Sequence, residues 1–339
     1  MSKLLNSLQI LLLTFLLTIA VLRIYHSFAL KRLILANPNF RNLHQNPTPR
    51  GGGVVFSTVF LVALFILWYS SFVGSDLMWA LFLGGFIATY FGFIDDVIEV
   101  RAKTKLMVQC ALSAWVLICF GGAPLLDLPW TPYFIDLAIS WFAMVWLMNA
   151  YNFMDGSDGM AASGAIFFCL AAIVSLFLVS GDETLITIFS LLAVSCIGFL
   201  LSNWPPARIF MGDSGSLFLG YFFCALIAKT VSSGQITLWT WLIMLAYFLG
   251  DTTTTSTLRI FIVKPWYGVH RSHAYQNLVR INQNHLKVLS DILFFHFLWL
   301  FPLVIWSVLT PKYAPLAFLF AYTPVVLWTI RYGPRFSSS

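Results

Sequence analysis

The densest polar stretch of the chain is Asn149-Ala-Tyr-Asn152-Phe-Met-Asp155-Gly156-Ser-Asp158-Gly159, two amides and two carboxylates at three-residue spacing between long apolar runs. That spacing puts neighbours on one flank of a helical turn, but four such steps drift around the helix, and Gly156 and Gly159 are poor helix interiors. The stretch therefore reads as a helix end opening into a tight loop. Two carboxylates held close raise each other's pKa unless a cation or hydrogen-bond donors hold them, and Asn152 adds an oxygen ligand. The bland alternative is an Asp/Gly turn that only caps a helix.

Two further acidic clusters stand at the ends of apolar runs. Phe91-Gly-Phe-Ile-Asp95-Asp96-Val-Ile-Glu99 is followed by Arg101, Lys103 and Lys105. A carboxylate at a bilayer centre costs about 2.5 to 3.5 kcal/mol on insertion scales, so this pair belongs at the interface. Adjacent helical residues point about 100° apart, so one of the two is expected in a site and the other in support. In Asn203-Trp-Pro205-Pro206-Ala-Arg208-Ile-Phe-Met-Gly212-Asp213-Ser214-Gly215-Ser216, the prolines block a helix and Ser214 or Ser216 suits a helix cap. Capping explains poorly why Asp213 joins a third acidic cluster.

Two basic segments complement these. Thr48-Pro49-Arg50-Gly51-Gly52-Gly53 could cradle a phosphate on free glycine amides beside Arg50, or merely anchor a helix end against anionic lipid. Tyr267-Gly268-Val-His270-Arg271-Ser272-His273 reads as an anion clamp, with no Cys or spaced carboxylate to suggest zinc.

The elements that must position these groups are membrane helices. Of 339 residues, 60% are apolar and 9% charged, far from the quarter charged of soluble domains. Apolar stretches fit for a ~30 Å hydrocarbon core lie at roughly 5 to 25, 53 to 73, 77 to 94, 105 to 122, 133 to 148, 160 to 180, 185 to 202, 216 to 231, 236 to 250, 290 to 310 and 314 to 331. The expectation is one all-α polytopic domain over 1–339 with about 11 spans, of which the shorter ones near 236 to 250 and 133 to 148 could be tilted or broken. No cleavable signal peptide is read at the amino terminus. The five cysteines sit inside apolar runs and read as small core residues. Alternate loops hold 16 of the 19 basic residues, which makes that face cytoplasmic, the amino terminus periplasmic and the carboxyl terminus cytoplasmic. Every motif then falls on the cytoplasmic side, in segments 26–53, 95–104, 149–160, 203–216 and 250–289.

Carboxylates with amide oxygens suit a hard cation, Mg²⁺ first and Mn²⁺ as an alternative. Basic groups around it imply a phosphorylated substrate. Neither a Walker motif nor a Rossmann fingerprint is present, and nothing points to nucleic acid. Membrane, cation and diphosphate together suggest transfer of a phosphosugar onto a lipid phosphate.

Asn149-x-x-Asn152-x-x-Asp155-Gly-x-Asp158-Gly, the Asp95-Asp96 pair, Phe210-Met-Gly-Asp213-Ser-Gly-Ser and His270-Arg-Ser-His273 resemble, in order over roughly 44 to 275, the polyprenyl-phosphate N-acetylhexosamine-1-phosphate transferase superfamily. The resemblance implies a UDP-N-acetylamino sugar as donor, undecaprenyl phosphate as acceptor, UMP as product, Mg²⁺ as cofactor and a bacterial inner-membrane location. It makes Asp213 the principal metal ligand, with Asn152 and Asp96 beside it. Asp95 and Asp96 take the place of the catalytic pair, together with Asp213. Asn149, Asn152, Asp155, Asp158 and Asn203 resemble nucleotide-sugar and metal-site residues, and Thr48, Arg50 and Arg271 phosphate contacts. His270, Arg271 and His273 stand for the family's histidine-rich catalytic loop.

Two departures bear on the donor. The peptidoglycan branch has a histidine run where this chain has His-Arg-Ser-His, and a Lys near Gln45. Both argue against a muramoyl-pentapeptide donor. His-Arg-Ser-His-Ala-Tyr-Gln is similar instead to transferases that start O-antigen synthesis, including those for N-acetylfucosamine or N-acetylquinovosamine. UDP-N-acetylglucosamine for another cell-wall polymer stays open, as do double displacement through an aspartate and a homodimer. The rival of another class is a secondary transporter, which would place its site near the midplane and often carry an inverted repeat.

Overall fold

The computed structural model of the protein describes residues 2–31, 35–36, 48–122, 131–262 and 272–334. It is an all-α polytopic membrane protein, built from α1 (Ser2–Lys31), α2 (Gly53–Tyr69), α3 (Ser75–Ile98), α4 (Ala102–Cys119), α5 (Tyr133–Met154), α6 (Met160–Leu178), α7 (Glu183–Asn203), α8 (Asp213–Ser232), α9 (Leu238–Met244), α10 (Ala246–Ile262), α11 (Ala274–Asn282), α12 (His285–Phe295), α13 (Phe301–Leu309) and α14 (Ala314–Tyr332). The extended pieces among the described residues are two-residue strands, β1 (Leu35–Ala36) and β2 (Thr48–Pro49), paired antiparallel with Leu35 opposite Pro49.

Nine helices among the described residues are long and apolar enough to cross a membrane, against the eleven expected. Both differences have a local cause. Helix α2 is apolar but has 17 residues, about 26 Å at 1.5 Å per residue, slightly short of a ~30 Å core. The 236 to 250 stretch is broken at Leu245, α9 having 7 residues and α10 following as a separate, more polar helix, whereas α5 runs unbroken through 133 to 148. The segment 250–289, expected as a loop, is helical in much of its described part, through the end of α10, α11 and the start of α12. Before Pro302, which lacks an N–H and crowds the preceding turn, the chain widens into a π-helical turn at His296–Leu300.

Helix α8 is the axis of the bundle, with 89% of its spanning window buried against 17% for α1. Small residues let its neighbours come close. A Cβ on Gly92 of α3 would fall 2.3 Å from the Asp213 carbonyl oxygen, and one on Gly53 of α2 would fall 2.1 Å from the Gly215 nitrogen. Gly84, Ala88 and Gly92 recur every four residues, so they line one stripe of α3 facing α8. The space above this contact is filled by rings, with Phe60 edge-on to Phe222 at 4.8 Å and Tyr151 stacked on Phe223 at 5.8 Å. This packing brings the ends of α3, α5 and α8 to one place.

Candidate active site

The loop after α5 forms as the glycines implied. Asn149 and Asn152 lie in the last turns of α5, Asp155 follows it, and Gly159 takes φ +71°, a left-handed conformation, just before α6. Asn152 Nδ2 donates to Asp213 Oδ1 at 2.9 Å and to Ser216 Oγ at 3.0 Å, joining α5 to α8.

Asp95 and Asp96 separate as neighbours on a helix must. Asp95 faces Lys105, whose ammonium contacts it closely and also bonds Asp213 Oδ2 at 2.9 Å. Asp96 turns to α8, where its two oxygens accept the backbone N–H groups of Asp213, at 2.9 Å, and Ser214, at 3.1 Å. The expected serine cap is thus replaced. Gly212 precedes α8 with φ +75° and no side-chain cap, while Ser214 Oγ donates to the Met211 carbonyl. A carboxylate from α3 satisfies the free amides and complements the positive end of the helix dipole. Both Asp96 oxygens are thus engaged with the backbone of α8, next to Asp213.

Half-buried Asp155 lies within the field of this group. Burial first, and then the charges of Asp213 and Asp96, hold its carboxyl well above the usual carboxylate range, while the Gly212 N–H pulls it back. Lys105 thus bridges Asp95 and Asp213, while Asp96 and Asp155 add their charges beside Asp213. Among the described residues no three His, Cys, Asp or Glu side chains close into a preformed metal cluster. What they offer is an open set of oxygen donors with an excess of negative charge.

The remaining expected residues stand differently. Asn149 Nδ2 bonds Gln109 Oε1 on α4 at 2.8 Å. Asn203, 4% exposed, accepts from the Gly159 N–H at 3.0 Å and donates to the Ile209 carbonyl at 2.8 Å. Asp158 Oδ2 accepts from the Ala207 N–H at 2.9 Å, and its other oxygen is 3.8 Å from His285 Nδ1. Asn203 and Asp158 thus clasp the loop after α5 to the loop before α8. The glycine amides beside Arg50 are not left free as expected: Gly52 N–H donates to the Phe210 carbonyl and Gly53 N–H to that of Met211, because this segment runs alongside the residues that lead into α8. Thr48 is buried in the short ladder. Arg50 stays partly exposed, 3.9 Å from Glu99. His273 is buried ahead of α11, with Phe153 and Tyr275 rings beside it at 5.5 and 6.1 Å. His270 and Arg271 lie outside the described residues.

Lys105 is the residue that the sequence reading passed over as one of three basic residues. A signal was present: a lysine in the first turn of α4 opposes the helix dipole, so an acidic partner has to be sought elsewhere.

Residues 78–231 match the model for glycosyl transferase family 4. The chain is 31% identical over 286 residues to a probable undecaprenyl-phosphate N-acetylglucosaminyl 1-phosphate transferase of Bacillus subtilis, covering 80% of this chain and 76% of that protein. It is 30% identical over 306 residues to the decaprenyl-phosphate N-acetylglucosaminephosphotransferase of Mycobacterium leprae, covering 78% and 74%. A phospho-N-acetylmuramoyl-pentapeptide-transferase of Chlamydia muridarum is 33% identical over 211 residues, covering 52% and 60%. From the match and from the two relatives that are covered over most of their length, the chain belongs to glycosyl transferase family 4, within the polyprenyl-phosphate hexosamine-1-phosphate transferase superfamily.

Proposed function

We propose that the protein transfers an N-acetylamino-sugar 1-phosphate from a UDP-sugar to undecaprenyl phosphate, releasing UMP at the cytoplasmic face of a bacterial inner membrane. The observation that carries this reading is the gathering of Asp95, Asp155, Asp213, Asn152 and Lys105 at one end of the bundle, with more carboxylates than cations. Such a set suits a diphosphate substrate bound together with a hard divalent ion. The reactions in the names of the Bacillus and Mycobacterium relatives support the same chemistry.

The donors fit Mg²⁺, or Mn²⁺ in its place: Asp213 and Asn152 with Asp155 would hold it, leaving room for water and phosphate oxygens. Bound there, the ion would supply charge withdrawal from the diphosphate. An oxygen of the lipid phosphate attacks the β-phosphorus of the UDP-sugar; the bond from that phosphorus to the bridging oxygen breaks, and its electron pair leaves with UMP. A phosphomonoester, with a second pKa of about 6, is mostly dianionic at neutral pH and needs no strong base. Lys105 is placed to follow the moving charge from Asp213 to a phosphoryl oxygen, Arg50 steadies the phosphates from the rim, and Asp96 holds the end of α8 still. An apolar recess between α5, α8, α9 and α10, lined by Met144, Leu147, Cys224, Trp241 and Leu245, suits the prenyl tail.

The departures around His273 favour a donor other than the muramoyl pentapeptide, in O-antigen or related surface polysaccharide synthesis. A second reading takes UDP-N-acetylglucosamine for another cell-wall polymer, which the relatives' names favour. The test is UMP release by membranes containing the protein, with undecaprenyl phosphate and a panel of UDP-N-acetylamino sugars, with and without Mg²⁺. Mg²⁺-dependent release with one sugar is expected and names the donor. No release with any sugar from folded protein overturns the proposal and returns the transporter to contention.

A further inference from the structure

Away from the carboxylate centre, α10 carries a second buried acid. Asp251 is 0% exposed, and among the described residues its Oδ2 has no hydrogen-bond partner. Its Oδ1 accepts from Thr255 Oγ1 at 2.9 Å and from the Ala274 N–H at 3.3 Å, the first amide of α11, and stands 3.6 Å from His273 Nδ1. A carboxylate deep in apolar surroundings is costly unless its partners are held firmly. Here those partners are Thr255 on α10 itself and the residues that begin α11.

The next residue carries the contact onward. Tyr275, fully buried, donates from its hydroxyl to the Phe153 carbonyl at 2.7 Å. Phe153 stands between Asn152 and Asp155 in the turn that faces Asp213. A Cβ on Gly156 would fall 2.2 Å from that hydroxyl, so the glycine of the Asp155-Gly156 step is what lets Tyr275 in. The His273 ring stands beside the rings of both Phe153 and Tyr275. A continuous line of hydrogen bonds and ring contacts thus runs from α10, through the start of α11, to the end of α5.

We propose that Asp251 is a positioning residue for the transferase site: by fixing the start of α11 it sets Tyr275 against Phe153, and so the angle at which Asn152 and Asp155 meet Asp213. This inference rests on the reaction proposed above. It needs no contact between Asp251 and substrate. A small error of angle at the reacting phosphate costs turnover more than binding, since many other contacts hold the nucleotide.

The experiment uses full-length protein carrying Asp251→Asn, Tyr275→Phe or both, with kcat and KM for the UDP-sugar and thermal unfolding measured for each. Asn keeps an oxygen for Thr255 and Ala274, and Phe keeps the ring, so the fold has what it needs. The expected result is about a tenfold loss of kcat for each single variant, KM within about twofold of wild type, and a double variant much less impaired than the product of the two losses. Unchanged kcat in the single variants, or losses that simply multiply, overturns the proposal. Should Asp251→Asn fail to fold, Tyr275→Phe decides alone: lost kcat at steady KM supports the relay, and wild-type turnover overturns it. A wild-type protein that releases no UMP defeats the reaction instead. The relay is then judged on unfolding temperatures, where coupled losses uphold the link from Asp251 to the turn and independent losses overturn it.

Discussion

Asp155 and Asp158 stand three residues apart in one turn, with the same chemistry and almost the same sequence surroundings, yet they belong to different parts of the molecule. Asp155 looks toward Asp213 and Asp96 and bears their repulsion. Asp158, 3% exposed, bonds the Ala207 amide and, with Asn203, ties two loops together. Asp95 and Asp96 divide in the same way, Asp95 toward Lys105 and Asp96 onto the backbone of α8. In the first pair Asp158 is bound to an amide of another loop while Asp155 lies in the repulsive field of Asp213 and Asp96; in the second Asp96 is bound to the amides of α8 while Asp95 meets the Lys105 ammonium. Motif membership alone does not separate the two roles.

The comparison is open to attack at three points. The largest effect is expected from Asp213→Ala, which removes the acid shared by Asn152 and Lys105: UMP release should fall by at least ~100-fold in protein that still elutes as a folded species from detergent. Substantial activity at saturating Mg²⁺ would break the assignment of the open group. Next is Lys105→Met, which keeps the length of the side chain and deletes its charge. About 10- to 100-fold lower kcat is expected, with Lys105→Arg partly active, since the ammonium is the one described cation bonded to both Asp95 and Asp213. Equal kcat in Lys105→Met would make the lysine a structural clamp.

The smallest effect on turnover belongs to the clasp. Asn203→Ala leaves the Gly159 N–H and the Ile209 carbonyl without their buried partner, a loss of about 1 to 3 kcal/mol. Its unfolding temperature should drop while kcat per folded molecule stays within about threefold. Normal stability with lost turnover would instead favour Asn203 as one of the ligand-binding residues.

Much of this was legible beforehand, and the reasons differ by feature. Hydropathy averaged over twenty residues locates spans because the bilayer imposes one length on every helix, so nine spans, and the short α2, fall where expected. The break at Leu245 is local too, marked by a short apolar run; the π turn before Pro302 was not read, although its cause, a missing N–H, is equally local. The turn from Asp155 to Gly159 followed from its glycines. Lys105 was missed because its two partners are on other helices, 10 and 108 residues away in sequence. Tyr275 stood inside the quoted His-Arg-Ser-His-Ala-Tyr-Gln stretch without a role, and Asp251 at the end of an apolar run, because their meaning lies in a carbonyl at Phe153 on another helix.

By itself the sequence determined the all-α membrane class, the order of the motifs and the family they mark, since each is written in local composition and spacing. Only the tertiary structure decided which acids meet, which are spent on amides, and that α3 lies close enough to α8 for Asp96 to reach its first turn. That closeness depends on Gly92 lying against the Asp213 backbone and Gly53 against Gly215. The contact of two small residues across a helix interface costs nothing to write in either helix alone, and acquires its meaning when the two surfaces meet.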